Sequence, residues 1–197
     1  MLFKKKPPKI DHIVNIYFGV PGSGKTTMAA WLARRDLRRG GKVWSNVPIT
    51  GCYKLDVKQD IGIHHIEDGR IIIDEAGIEH NNRAFKTMAP HQIEFYKYHR
   101  HYKTAIDVFS QSYEDMDITL RRLAQNYYVV TRSIIPYHIK IRSIKRRIDI
   151  DENTQQIIDS YRFRCFLFTR RIFSPTLWKM FNTHSRKPLK PKEWQRW

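Results

Sequence analysis

Apolar residues along this chain gather in short dense runs, and polar stretches of helical length separate them. Five runs stand out: "HIVNIYFGV" (12–20), "KVWSNV" (42–47), "RIIIDEA" (70–76), "TAIDVFSQ" (104–111) and "NYYVVTRS" (126–133). Each is short and rich in β-branched and aromatic residues, which predicts strands rather than helices. The three successive isoleucines at 71–73 suit a strand covered on both faces. Between the runs, residues 25–39 read as a helix ended by Gly40-Gly41, where the chain needs positive φ. Pro90 opens a second helix over roughly 90–102, and Asp117 caps a short third, "DITLRRLA". Strands alternating with helices predict a parallel sheet with helices on both faces.

The pattern changes after Ile135-Pro136. "HIKIRSIKRRIDI" (138–150) and "QQIIDSYRFRCFLF" (155–168) are β-rich and flank the polar turn "DENT". They read as a long basic hairpin laid against the core. The expected organisation is a basic arm kept extended by Pro7 and Pro8 (1–11), an α/β core with a five-stranded parallel sheet (12–135), a basic β-rich extension (136–180) and a basic tail (181–197).

Charge alters the picture next. The chain of 197 residues carries a net +17, with +7 over residues 1–133 and +10 over the much shorter 134–197. Charge this concentrated points to a polyanion, either nucleic acid or an anionic membrane face, and exceeds what solubility requires. Cys52 and Cys165 lie far apart without partners at metal-ligand spacing, so neither a disulfide framework nor zinc is expected. "MLFKKKPPKI" has no apolar stretch behind its basic cluster, and no run approaches the length of a membrane span. The expectation is a soluble protein, or one held at a membrane by something else.

The chemistry starts at residue 19. Gly19 to Thr26, "GVPGSGKT", matches G-x-x-x-x-G-K-[ST] between a predicted strand and a predicted helix. Glycines let the backbone curl so that successive N–H groups point at phosphate oxygens, and the helix adds its positive end. Gly19, Gly22, Ser23, Gly24, Lys25, Thr26 and Thr27 form the expected nucleotide contact, with Lys25 on the β- and γ-phosphates and Thr26 helping to hold Mg²⁺. ATP with Mg²⁺ is the expected ligand pair.

In "IIIDEA", Asp74 ends an apolar strand and is suited to hold the metal's water shell. Glu75 follows immediately, and a second carboxylate there can take a proton from an attacking water, which favours hydrolysis over transfer. Gln111 ends the fourth strand at the sheet edge where parallel sheets bind ligands, so it is placed to sense the γ-phosphate. Arg83, Arg100, Arg121, Arg122 and Arg132 are candidates to act on a neighbouring subunit's nucleotide, with Arg100 favoured. The helix "HQIEFYKYHRHYK" mixes aromatic and basic residues, which suits either base stacking or an amphipathic helix with its aromatics in the core.

Taken together, "GVPGSGKTT", "IIIDEA", "HRHYKTAIDVFSQ" and "DITLRRLA" resemble the ATPase domain of the zonular occludens toxin family, which includes assembly proteins of filamentous phages. "MFNTH" (180–184) weakly resembles a further motif of that family. The resemblance implies a P-loop fold with an extra strand between the two nucleotide-binding strands, related to DNA-pumping motors. It implies a role in extruding or packaging viral DNA, single-stranded for preference, through a ring of like subunits. It also assigns nucleotide and metal to Lys25 and Thr26, metal to Asp74, the catalytic base to Glu75 and the sensor to Gln111. Familiar members carry a transmembrane helix after this domain, and the sequence here encodes none. Location in the host cytoplasm is therefore expected, peripheral at the membrane at most, with any membrane or assembly protein supplied in trans. Two other readings remain: a small nucleotide kinase, and a non-catalytic adaptor that keeps nucleotide for structure.

Overall fold

The structure, a computed structural model, describes residues 11–74, 88–113, 116–150, 157–163 and 169–181. All five predicted strands are present, and among the described residues the sheet that contains them holds nine strands rather than five. Those five are β1 (Val14–Phe18), β2 (Lys42–Ser45), β4 (Gly69–Ile73), β5 (Thr104–Ser110) and β6 (Asn126–Arg132), with a two-residue β3 (Tyr53–Lys54) arising from the loop-rich stretch between β2 and β4. Three more follow: β7 (His138–Ile150), β8 (Ile157–Phe163) and β9 (Thr169–Phe173). The order across the sheet is β3-β2-β4-β5-β1-β6-β7-β8, with β9 also beside β7. Strands β1 to β6 pair in parallel. β5 lies between β1 and β4, so an extra strand separates the strand before the glycine loop from the strand that ends at Asp74.

The two expected strands of the basic hairpin are present, and they continue the sheet along its β6 edge. β7 pairs antiparallel with β6 through Ile139 to Ile144, because an uncapped edge at β6 would leave a row of backbone N–H and C=O groups unpaired. Arg142 has partners on both β6 and β9, and Ile144 on both β6 and β8. β8 and β9 therefore take successive stretches of the same outer edge of β7.

Helices cover both faces, as the alternation predicted. α1 (Lys25–Leu37) packs Met28, Ala29, Ala30, Leu32 and Ala33 on Tyr17, Val43, Ile72 and Phe109. On the other face, α2 (Pro90–Tyr98) and α3 (Ile118–Leu123) bury Phe95, Tyr96 and Leu120 against Val14, Ile16, Ile71 and Ile106. Asp117 accepts a hydrogen bond from the Thr119 N–H at 2.6 Å, which caps α3 as expected. α2 stops at Tyr98, short of the predicted 102. Its Phe95 and Tyr96 go to the core while Tyr98 stays half exposed, which favours the amphipathic reading of that helix over base stacking.

One polar network runs beneath α1. Arg70, at the start of β4, donates from Nε to Asp36 of α1 at 2.5 Å, and a terminal guanidinium nitrogen donates to Asp107 of β5. Asn15 of β1 donates to Asp107 at 2.8 Å, and Asn126 of β6 donates to Asn15 at 3.0 Å. Arg35 donates to the second oxygen of Asp36 at 2.7 Å. Burial alone would push the Asp36 carboxyl up, but the hydrogen bond from Arg35 and the charge of Arg70 outweigh it and hold the group below its ordinary value.

Breaking a buried pair by removing one partner leaves the other charge without compensation. Arg70→Ala is therefore expected to cost about 3–5 kcal/mol in urea unfolding. Because the folded-state pKa of Asp36 is lowered, its contribution is full above the ordinary carboxylate range and is lost as pH falls through the lowered value. The stability gap between wild type and Asp36→Asn should accordingly close on acidification, as followed by denaturant midpoints across the acid range.

Candidate nucleotide-binding site

The site is built where β1 turns into α1. The Gly19 N–H donates to the Ser110 carbonyl at 3.3 Å, which ties the loop to the end of β5, and the Ser23 N–H donates to the Val20 carbonyl at 3.1 Å. Gly22 and Gly24 hold φ of 73° and 99°, the left-handed region that side chains with a Cβ rarely adopt. A Cβ on Gly24 would also stand 2.4 Å from the Ile139 Cγ2, so space and backbone both require glycine there.

Lys25 is buried, and its ammonium donates to the Gly19 carbonyl at 2.7 Å and the Val20 carbonyl at 3.3 Å. The amine thus closes over the loop that would cradle the phosphates. Ser23 Oγ is buried and has no hydrogen-bond partner among the described residues. A curled loop at a helix N-terminus, a lysine across it and an orphan hydroxyl beside it fit a polyphosphate. Thr27, two residues after Lys25, is buried in the first turn of α1.

The second half of the site comes from β4. Asp74 follows Ile73, the last residue of that strand, and the Thr26 hydroxyl donates to its Oδ2 at 2.9 Å. Glycine loop and strand-end carboxylate therefore converge. A hydroxyl and a carboxylate at this separation are oxygen ligands of the type magnesium takes, so the pair fits Mg²⁺ held together with nucleotide.

Asn46, just past β2, donates from Nδ2 to the Asp74 carbonyl at 2.9 Å and accepts from the Asp74 N–H at 2.8 Å. This two-bond clamp fixes the backbone that aims the carboxylate. Sequence reasoning passed over Asn46, because "SNV" before Pro48 reads as the end of a strand. The available signal was its place at the carboxyl end of a strand next to β4.

The remaining predicted residues divide by position. Gln111 is exposed directly after β5, whose end pairs with Phe18 before the loop, so it lies at the site's end of the sheet. Glu75 and Arg83 lie outside the described residues. Arg100 is exposed in the turn that precedes β5, at the amino end of the strands, about 20 Å of strand away from the loop. Arg121 sits on α3 with its guanidinium carbon 4.6 Å from the Tyr113 ring centroid. Arg132, at the end of β6, is brought to the loop, donating from Nε to the Gly22 carbonyl at 2.9 Å.

Against known proteins, the family model described as zonular occludens toxin (Zot) matches residues 52–164, more than half of the chain. The chain belongs to the zonular occludens toxin family. Among solved structures, the N-terminal domain of zonular occludens toxin from Neisseria meningitidis aligns with a TM-score of 0.54 at 16% identity, covering 86% of this chain and 98% of that one. The genome packaging NTPase B204 of Sulfolobus turreted icosahedral virus 2, in complex with ATP-gammaS, aligns at 0.48 and 14% identity over 76% of this chain and 98% of its own. The flagellar accessory protein FlaH of Methanocaldococcus jannaschii aligns at 0.49 and 14% identity over 67% of this chain and 76% of its own. No curated protein matches the sequence. The Zot-family chain thus has the P-loop NTPase fold that its glycine loop and alternating elements predicted.

Three substitutions test the geometry. Gly24→Ala should abolish binding of a fluorescent ATP analogue. Gly40→Ala is the control, since Gly40 shares the positive φ but an added Cβ would meet nothing within 4 Å. It should cost about 1–2 kcal/mol of stability and leave nucleotide binding intact. Asn46→Ala leaves the Asp74 N–H without this partner and should cost about 1–3 kcal/mol in urea unfolding.

Proposed function

We propose that this chain is an ATP-hydrolysing motor that moves viral DNA, single-stranded for preference, during extrusion, packaging or virion assembly. The observation that carries the reading is the 2.9 Å contact between Thr26 and Asp74, which joins the glycine loop to the strand-end carboxylate. In this reading Gly19, Gly22, Ser23, Gly24, Lys25, Thr26 and Thr27 hold the nucleotide, while Thr26 and Asp74 hold Mg²⁺. The bound metal neutralises charge on the phosphates. Lys25 leaves the Gly19 and Val20 carbonyls for phosphate oxygens when nucleotide arrives, exchanging neutral acceptors for charged ones. Asn46 keeps Asp74 aimed throughout.

Glu75, next after Asp74, takes the proton of the attacking water, and Gln111 orients that water or reports the γ-phosphate to the rest of the fold. Membership of the Zot family supports a role at viral DNA, and the net +10 over residues 134–197 is a charge suited to phosphates. Arg100 stands too far from its own chain's loop to act there, so it would serve a neighbouring subunit in a ring. Arg132, already on the Gly22 carbonyl, would act on its own chain's nucleotide. Among the described residues no helix is long and apolar enough to cross a membrane. Attachment at the inner membrane face through a separate protein completes the reading.

Phosphate release with and without single-stranded DNA decides the matter. DNA-stimulated hydrolysis should be lost in both Lys25→Ala and Glu75→Gln, with Glu75→Gln still binding ATP. Phosphoryl transfer to a nucleoside monophosphate would overturn the motor in favour of a kinase. Binding without turnover under every condition would leave an adaptor.

A further inference from the structure

A second concave site lies on the α1 face, away from the glycine loop. It is a cavity of about 630 Å³ between the last turns of α1 and strands β1, β6, β7 and β9, and Arg35, Arg39, Arg70 and Arg170 all line it. We propose that this cavity binds the phosphodiester backbone of single-stranded DNA. The inference deepens the DNA reading above and rests on it for the ligand, but it does not depend on hydrolysis.

The four arginines are not equivalent. Arg70 is committed to Asp36 and Asp107, and Arg35 shares Asp36. Arg39, beyond the end of α1, and Arg170, on β9, are both exposed and make no ion pair among the described residues. The guanidinium carbons of Arg170 and Arg35 lie 5.1 and 5.4 Å from the centroid of Trp31, so both cations lie against one ring. Asp36 and Asp107 already face Arg70, which leaves Asp11 as the carboxylate lining the cavity. A phosphate answers this surplus of guanidinium forks, which match its oxygens in pairs. The hydroxyls of Ser143 and Thr169 line the same cavity and can donate to further phosphate oxygens.

Shape selects the strand. The cationic groups line a recess, with the buried Arg70 at its base and the exposed Arg39 and Arg170 at its rim. A flexible single strand can bend a phosphate into it, whereas the backbone of a duplex follows a stiff cylinder and meets only the rim. Location matters as well. The glycine loop opens the amino end of α1 and the cavity lies at its carboxyl end, so one helix about 20 Å long spans the two sites.

The test is fluorescence anisotropy of a labelled oligothymidylate with the full chain, across a salt series. Arg39→Glu/Arg170→Glu should weaken binding by about tenfold or more and lower the salt slope by roughly 2. Lys54→Glu/Lys58→Glu, an equal change of charge at exposed sites elsewhere, should shift binding far less, and circular dichroism and melting should report both proteins folded. Equal losses in the two double variants would overturn the cavity assignment, since net charge alone would explain them. A duplex of equal length bound as tightly and with the same sensitivity would overturn the choice of single strand. Displacement of the oligonucleotide by equimolar thymidine monophosphate would make a free nucleotide the ligand and overturn the backbone assignment. If wild type binds and the cavity variant binds equally, this inference alone fails. If wild type does not bind, the DNA reading fails with it. Lys25→Ala should still bind the oligonucleotide, which keeps the outcome separate from any failure of hydrolysis.

Discussion

The bridge from Asp36 through Arg70 to Asp107 holds the working parts of this molecule in register. Three side chains from α1, β4 and β5 meet beneath the helix, and Asn15 and Asn126 extend the contact to β1 and β6. β4 leads directly into the Asp74 carboxylate, α1 carries Lys25 and Thr26, and β1 leads into the glycine loop between them. A buried guanidinium needs its carboxylates, so these elements cannot shift past one another without exposing a charge to a dry interior. The aspartate in "TAIDVFSQ" therefore has a structural duty and faces away from the nucleotide chemistry. It also accounts for the tolerance of an interposed strand. β5 separates the two site-bearing strands, and its aspartate helps to pin it between them.

How much was legible in the sequence follows from the range of each interaction. The five central strands, α1 and the capped α3 depend on local periodicity and local hydrogen bonds, and all were readable. The glycine loop was readable because its conformation is set by the residues that compose it. The sheet beyond β6 was not, since pairing along an edge depends on which distant strand arrives there and in what register. The hairpin was expected against the core, and where it sits follows from the edge of β6, which offers β7 a ladder of partners.

Asn46 and Arg132 escaped emphasis for a related reason. Each acts on a backbone group of another segment, the Asp74 peptide in one case and the Gly22 carbonyl in the other. Nothing in the identity of an asparagine or an arginine announces such a contact. The parallel sheet supplies it by bringing strand ends together, and only the strand order tells which ends meet. Arg132 stood among five candidate arginines, behind the favoured Arg100, until β6 proved to be the neighbour of β1.

The packing of Ile139 against Gly24 couples the appended strand to the glycine loop through parity. Side chains on a strand alternate between faces, so a slip of β7 by one residue against β6 would turn Ile139 away and bring a lysine or a histidine to the floor of the loop. Correct seating of the hairpin is thus a precondition for the shape of the loop, and a misthreaded copy would lack that shape although every motif residue were intact.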